Sequence, residues 1–141
     1  MNHLKKLIVA TICIAFTCAG CSDFMHGSYA PLNRSTHPEI SDIPIPQGFE
    51  LDRSESTLHE SKNMRFIDYR YEGNASVQNV VDFYNKQMPQ YNWGEPQATL
   101  FEGHNILTFS KDKEVCTVTI SRKGIIPKTH LKIKITPKDL K

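Results

Sequence analysis

Cysteine and histidine are the side chains here with the widest chemistry, and their spacing limits what they can do. The four cysteines stand at positions 13, 18, 21 and 116. A zinc hydrolase would need two histidines one helical turn apart with a glutamate between them. His26, His37, His59, His104 and His130 are each isolated, and beyond Cys21 only Cys116 remains, so no Cys-x-x-Cys pair can form there. The sequence holds no Gly-x-Ser-x-Gly nucleophile turn and no glycine-rich phosphate loop. Acidic residues are scattered without local pairing, although glycosidase carboxylates need not be neighbours in sequence. Cys116 with a distant histidine would make a thiol nucleophile. Against that, Cys116 alternates with Val118 and Ile120 on one face of a predicted strand, where a structural cysteine is expected. These residues point away from an enzyme, with no metal site and no cofactor.

Cys21 belongs to a different chemistry. Lys5 and Lys6 precede a ten-residue apolar run, Leu7 to Phe16, and Cys18, Ala19 and Gly20 are small. That order is that of a secretory signal. Ten residues are about half of what an ~20-residue membrane-spanning helix needs. The string Cys18-Ala19-Gly20-Cys21 resembles the lipobox of bacterial lipoproteins, with Cys18 where leucine is usual. The resemblance implies cleavage before Cys21, diacylation of its thiol and acylation of the new amino terminus. One acyl chain anchors marginally and two anchor stably, so a lipidated Cys21 would hold a domain that has no spanning helix. Ser22 follows the anchor and Asp23 comes only after it. By the same resemblance, this order favours the outer membrane, facing the periplasm, over retention at the inner membrane.

Removing residues 1–20 leaves 121 residues, enough for a tether and one domain. The 17 basic residues fall to 15 without Lys5 and Lys6, equal to the 15 acids, so no basic excess suggests nucleic acid. With Cys21 acylated and Cys116 alone, no disulfide within the chain is expected in an oxidising compartment. Charge is uneven: residues 111–141 carry nine Lys or Arg against three acids, while residues 22–62 carry three against seven. Two halves of one domain can neutralise each other this way. Alternatively, Arg122, Lys123, Lys128, Lys132 and Lys134 form a candidate anion-facing patch. Anionic lipid attracts such side chains by about 1 kcal/mol each near its surface.

The elements that must position these residues follow from periodicity. Residues 21–45, rich in Ser and Pro and without a sustained period, read as the lipidated cysteine and a flexible tether. The domain is expected at 46–141. Phe49 and Leu51 suggest a short strand, and "SESTLHESKN" reads as a polar loop. Ile67, Tyr69 and Tyr71 alternate with Asp68 and Arg70, the signature of a half-buried strand. Val77, Val80, Val81, Tyr84 and Met88 make one helical stripe, stopped by Pro89. Trp93, Leu100 and Phe101 suggest a strand, and residues 105–121 a hairpin turning at "KDKE". Leu131, Ile133 and Ile135 alternate with Lys132 and Lys134 in a last strand. The expected order is β-β-α-β-β-β-β: an α+β domain with an antiparallel sheet of about five to six strands and one helix on a face.

The segments "IPIPQGFEL", "VVDFYNKQMPQYNW" and "LTFSKDKEVCTVTI" are similar, in this order, to small bacterial envelope lipoproteins of unknown function. Each matching position is explained by packing or turns, so the resemblance implies a fold and supplies no catalytic residue. The reading is a membrane-anchored, non-catalytic module that binds an envelope protein, peptidoglycan or lipid head groups. The alternative is a small-molecule or lipid carrier with its cavity between helix and sheet, lined by aromatics such as Tyr69, Tyr84 and Phe109.

Overall fold

Alternation of apolar and polar residues over four long stretches leaves the chain little choice but a sheet with one greasy face. The structure, a computed structural model, describes residues 30–62 and 64–138. The signal segment and Cys21 lie outside the described residues. Seven strands form one antiparallel sheet: β1 (Phe49–Leu51), β2 (Thr57–Ser61), β3 (Met64–Gly73), β4 (Gln97–Phe101), β5 (His104–Lys111), β6 (Glu114–Lys123) and β7 (Lys128–Pro137). The one α-helix among the described residues, α1 (Val77–Gln87), follows β3, and a 3₁₀ turn, Met88–Tyr91, extends it. The sheet order is β1-β3-β7-β6-β5-β4, with β2 also paired to β3. The α+β class with one helix holds; the sheet has seven strands rather than five or six.

The additional strand is β2, inside the segment expected to be a loop. All five of its residues are exposed, so it lacks the alternation that betrays a half-buried strand. Its pairing explains its existence. β1 lies along β3 from Gly73 to Tyr71 and β2 along the same edge from Asp68 to Met64. Together they are one edge strand broken by a bulge at Arg53–Ser56. Asp52 stabilises the bulge by accepting from the Ser54 amide at 3.0 Å and the Ser54 hydroxyl at 2.6 Å. The strands at the other end of the sheet need only two-residue turns. Glu102 and Gly103 both take positive φ between β4 and β5 (49° and 76°), as a tight hairpin turn demands.

α1 is capped by Ser76, whose hydroxyl accepts from the Asn79 amide at 3.1 Å. Val80, Tyr84 and Met88 are fully buried against Leu107, Phe109, Cys116, Val118, Ile120, Leu131, Ile133 and Ile135 of the sheet. Phe83 was not expected in the stripe, yet it is buried as well. The reason is a second covering layer. Residues 30–45, expected as the end of a flexible tether, pack onto the body instead. Ile40, Ile43 and Ile45 are 6%, 0% and 2% exposed. The Ser35 amide donates to the Ile45 carbonyl at 2.7 Å and the Gln47 amide to the Asn33 carbonyl at 2.8 Å. Each fully buried isoleucine stabilises by roughly 1.5–3 kcal/mol, so this segment is part of the domain. Every buried apolar residue among those described lies between Ile40 and Ile135, so a chain begun at Ser22 keeps the whole core.

Trp93, expected in a strand, sits just past the 3₁₀ turn. It is 2% exposed and its indole N–H donates to the Asp42 carbonyl at 3.0 Å. Asn92 before it adopts the left-handed conformation (φ 64°) that ends the turn.

Candidate functional site

Period two sends alternate residues of β3, β6 and β7 to the face away from α1. On β3 these are Asp68, Arg70 and Glu72; on β7, His130, Lys132 and Lys134; on β6, Thr117, Thr119 and Ser121. The bulge between β1 and β2 rises beside them, carrying Asp52 and Glu55. Between the bulge and the strands runs a groove of about 360 Å³, within the size range of small-ligand sites. Its lining carries charges of both signs beside the apolar surface of Tyr71 and Leu131.

Geometry fixes the charges in place. Arg70 and Lys132 are directly opposed across β3 and β7, and each is balanced by a carboxylate. Arg70 donates to Glu55 at 2.8 Å, and Lys132 lies 3.1 Å from Asp68. Glu72 holds two partners, the Lys128 ammonium and Nδ1 of His130, both at 3.3 Å. The Arg70 amide is bonded at 3.0 Å to the hydroxyl of Ser56, locking the bulge against the strand. Hydrogen bonds from Ser54 hold the Asp52 carboxyl below its usual range, so it faces the groove ionised.

Glu72, His130 and Ser121 are cross-strand neighbours in one row. The row has the residue types of a hydrolytic relay, but no hydrogen bond joins the Ser121 hydroxyl to His130. Proton abstraction needs that contact. No backbone amides converge on the serine either, because those of β6 are engaged in the ladders to β5 and β7. The row holds and orients charge. No trio of His, Cys, Asp or Glu among the described residues has metal-binding geometry.

The basic residues singled out in sequence divide into two groups. Lys132 and Lys134 lie on the open face, Lys132 paired with Asp68. Lys123 faces Lys128 across the end of the β6–β7 hairpin, and Arg122, one residue earlier, turns to the other side, opposite buried Thr129. The groove residues Arg70, Glu72, His104 and His130 are not legible as one site in the sequence. The alternation of β3 and β7 puts them outward, but only the strand register brings them together.

A second charged cluster serves the fold. At the far end of the sheet, Arg65 donates to both oxygens of Asp42 (2.8 and 2.7 Å) and to both of Glu114 (2.8 and 2.7 Å), with Lys111 3.1 Å from Asp42. Burial would raise the Asp42 carboxyl, but the hydrogen bonds from Arg65 and Lys111 outweigh it and hold it below its usual range. The layer between α1 and the sheet is filled by side chains, among which the hydroxyls of Tyr71 and Tyr84 are buried without a hydrogen-bond partner. Cys116 lies in the same layer, fully buried, and burial pushes its thiol far up.

No helix among the described residues is long and apolar enough to cross a membrane. No curated protein and no solved structure matches the chain. A family model described as START domain-like matches residues 55–137, from the bulge through the last strand, leaving β1 and the packed N-terminal segment outside it. That match covers more than half of the sequence, and the chain belongs to the START domain-like family.

Proposed function

We propose that this protein is a lipid-anchored, non-catalytic envelope protein whose domain binds a ligand in the groove on the open face of the sheet. The groove carries the reading. It sets Arg70, Lys132 and His130 beside Asp52, Glu55 and Glu72 within about 360 Å³, so it suits a ligand with both an anionic and a cationic group. A peptide stem of peptidoglycan, a chain end of an envelope protein and a zwitterionic lipid head group all have that chemistry. Family membership supports a ligand-binding fold. Anchoring rests on the signal-like segment and Cys21, with outer-membrane placement following from Ser22.

Two experiments separate the parts. Cys21→Ser should abolish incorporation of radiolabelled palmitate, and undiminished label would remove the anchor. The chain from Ser22, isotopically labelled and titrated with peptidoglycan stem peptides or soluble head groups, should show NMR shifts at Arg70, His130 and Lys132. Shifts absent there, or confined to α1, would move binding elsewhere.

One observation favours a carrier. The orphan hydroxyls of Tyr71 and Tyr84 lie in the helix–sheet layer, where buried polar groups ordinarily find partners. A small ligand or lipid would supply them if α1 parted from the sheet, because side chains fill that layer. Native mass spectrometry of the purified domain decides, since a carrier should retain a co-purifying mass.

A further inference from the structure

The ends of the hairpins are not alike. The β4–β5 and β5–β6 turns have two residues each, Glu102-Gly103 and Asp112-Lys113, with no large apolar side chain. The β6–β7 connection is Gly124-Ile125-Ile126-Pro127, and both isoleucines stand in water: Ile125 is fully exposed and Ile126 is 86% exposed. Turn geometry does not ask for them, because neighbouring hairpins close with charged residues. Gly124, at φ 99°, supplies the left-handed residue that the turn needs. Isoleucine at a loop tip gives up the burial that makes it worth having in a fold.

The surroundings identify what the tip meets. Arg122 and Lys123 precede it and Lys128 follows, with no acid between 121 and 128. Leu100 and Phe101, 72% and 58% exposed, lie beside the β4–β5 turn. Pairing of Asn105 with Ile120 puts that turn at the same end of the sheet as the β6–β7 tip. Four of the six large apolar side chains exposed among the described residues therefore share one end. Apolar side chains at the tip with cations behind them match the depth profile of an anionic bilayer, where acyl chains lie beneath phosphates. The proximity of an anchor agrees, and this point alone rests on the proposed lipidation. Eight residues lie between Cys21 and Ala30, and the connection can span at most about 32 Å, so a lipid on Cys21 holds the domain close to the membrane.

We infer that the β6–β7 hairpin tip is a membrane-docking site that seats Ile125 and Ile126 among the head groups and upper acyl chains of an anionic bilayer. Arg122 and Lys123 pair with lipid phosphates at its rim, and Lys128, 3.3 Å from Glu72, lies behind them. Leu100 and Phe101 make a secondary contact. Lys123 also lines the open-face groove, so the seated tip lies next to one end of that groove.

Sedimentation with vesicles tests this on the chain from Ser22, which lacks the lipid and so separates the tip from the anchor. The domain should bind vesicles of phosphatidylcholine with phosphatidylglycerol, and bind phosphatidylcholine alone at least about tenfold less. Ile125→Ser with Ile126→Ser should weaken binding to the anionic vesicles by about tenfold or more, with thermal unfolding unchanged because neither side chain is packed. Arg122→Gln with Lys123→Gln should weaken it and flatten its salt dependence. Equal binding by the parent and the isoleucine variant would overturn the proposal. So would absence of binding to anionic vesicles, or a self-association in solution that the same variant abolishes, which would assign the tip to a second copy of the chain.

Discussion

Asp42 and Cys116 show how differently a titratable side chain can be spent inside this domain. Asp42 accepts from Arg65 and Lys111 and keeps a native pKa below its ordinary 3.8. Its contribution to stability is complete above that value and is lost as pH falls through the lower native one. The Arg65 guanidinium, pushed upward mainly by its hydrogen bonds to Asp42 and Glu114, stays charged throughout. Thermal unfolding followed from about pH 6 to about pH 3 should therefore show a loss in the parent that Asp42→Asn reduces. At neutral pH the same variant should be less stable by about 1–2 kcal/mol, a modest value because Asp42 and Arg65 keep 21% and 22% of their side chains in water. Cys116 behaves oppositely. With no exposed surface and a thiol pushed upward by burial, it should resist thiol reagents in the native domain and react after denaturation. Cys116→Ala should cost about 1 kcal/mol, the scale of losing one methyl-sized group from a packed core, and leave groove binding intact.

At the scale of elements, pairing and capping decide more than composition. Gly73 ends β3 and is its last paired residue, opposite Phe49. The Phe49 ring covers it so closely that an added Cβ would lie 2.6 Å from a ring carbon. Gly73→Ala must push the ring off β3, loosening the β1 edge. Hydrogen exchange should show faster amides in β1 and the bulge, while those of β6 and β7 keep their protection. α1 depends on Ser76 for its first turn, and Ser76→Ala should lower stability by about 1 kcal/mol in a denaturant titration. Neither effect involves the groove directly, but the bulge that β1 carries forms its wall.

The described domain is two coverings on one sheet face, α1 and the segment 30–45, with the groove on the other face. A chain begun at residue 46 would lose Ile40, Ile43, Ile45 and the Asp42 cluster. It would also strip the cover from Phe83 and remove the acceptor for the Trp93 indole. Expected is a domain that fails to fold or unfolds well below the chain begun at Ser22, read directly by circular dichroism and Trp93 fluorescence.

Much of this was legible in the residues alone. Strict alternation in β3, β6 and β7 determined which side chains enter the core, and the stripe from Val77 to Met88, stopped by Pro89, determined α1, because both patterns express backbone geometry locally. The strand β2 and the buried segment 30–45 were not legible. One is an edge strand with both faces wet, and the other is an irregular segment whose isoleucines at 40, 43 and 45 follow no period. Each exists because of what lies beside it. The groove was hidden for the same reason: Arg70, Glu72, His130 and Lys132 are spread over more than sixty residues, and hydrogen-bond register between β3 and β7 alone makes them neighbours. Exposure is likewise tertiary, since Ile125 and Ile126 read as ordinary apolar residues until the hairpin carries them beyond the reach of any core.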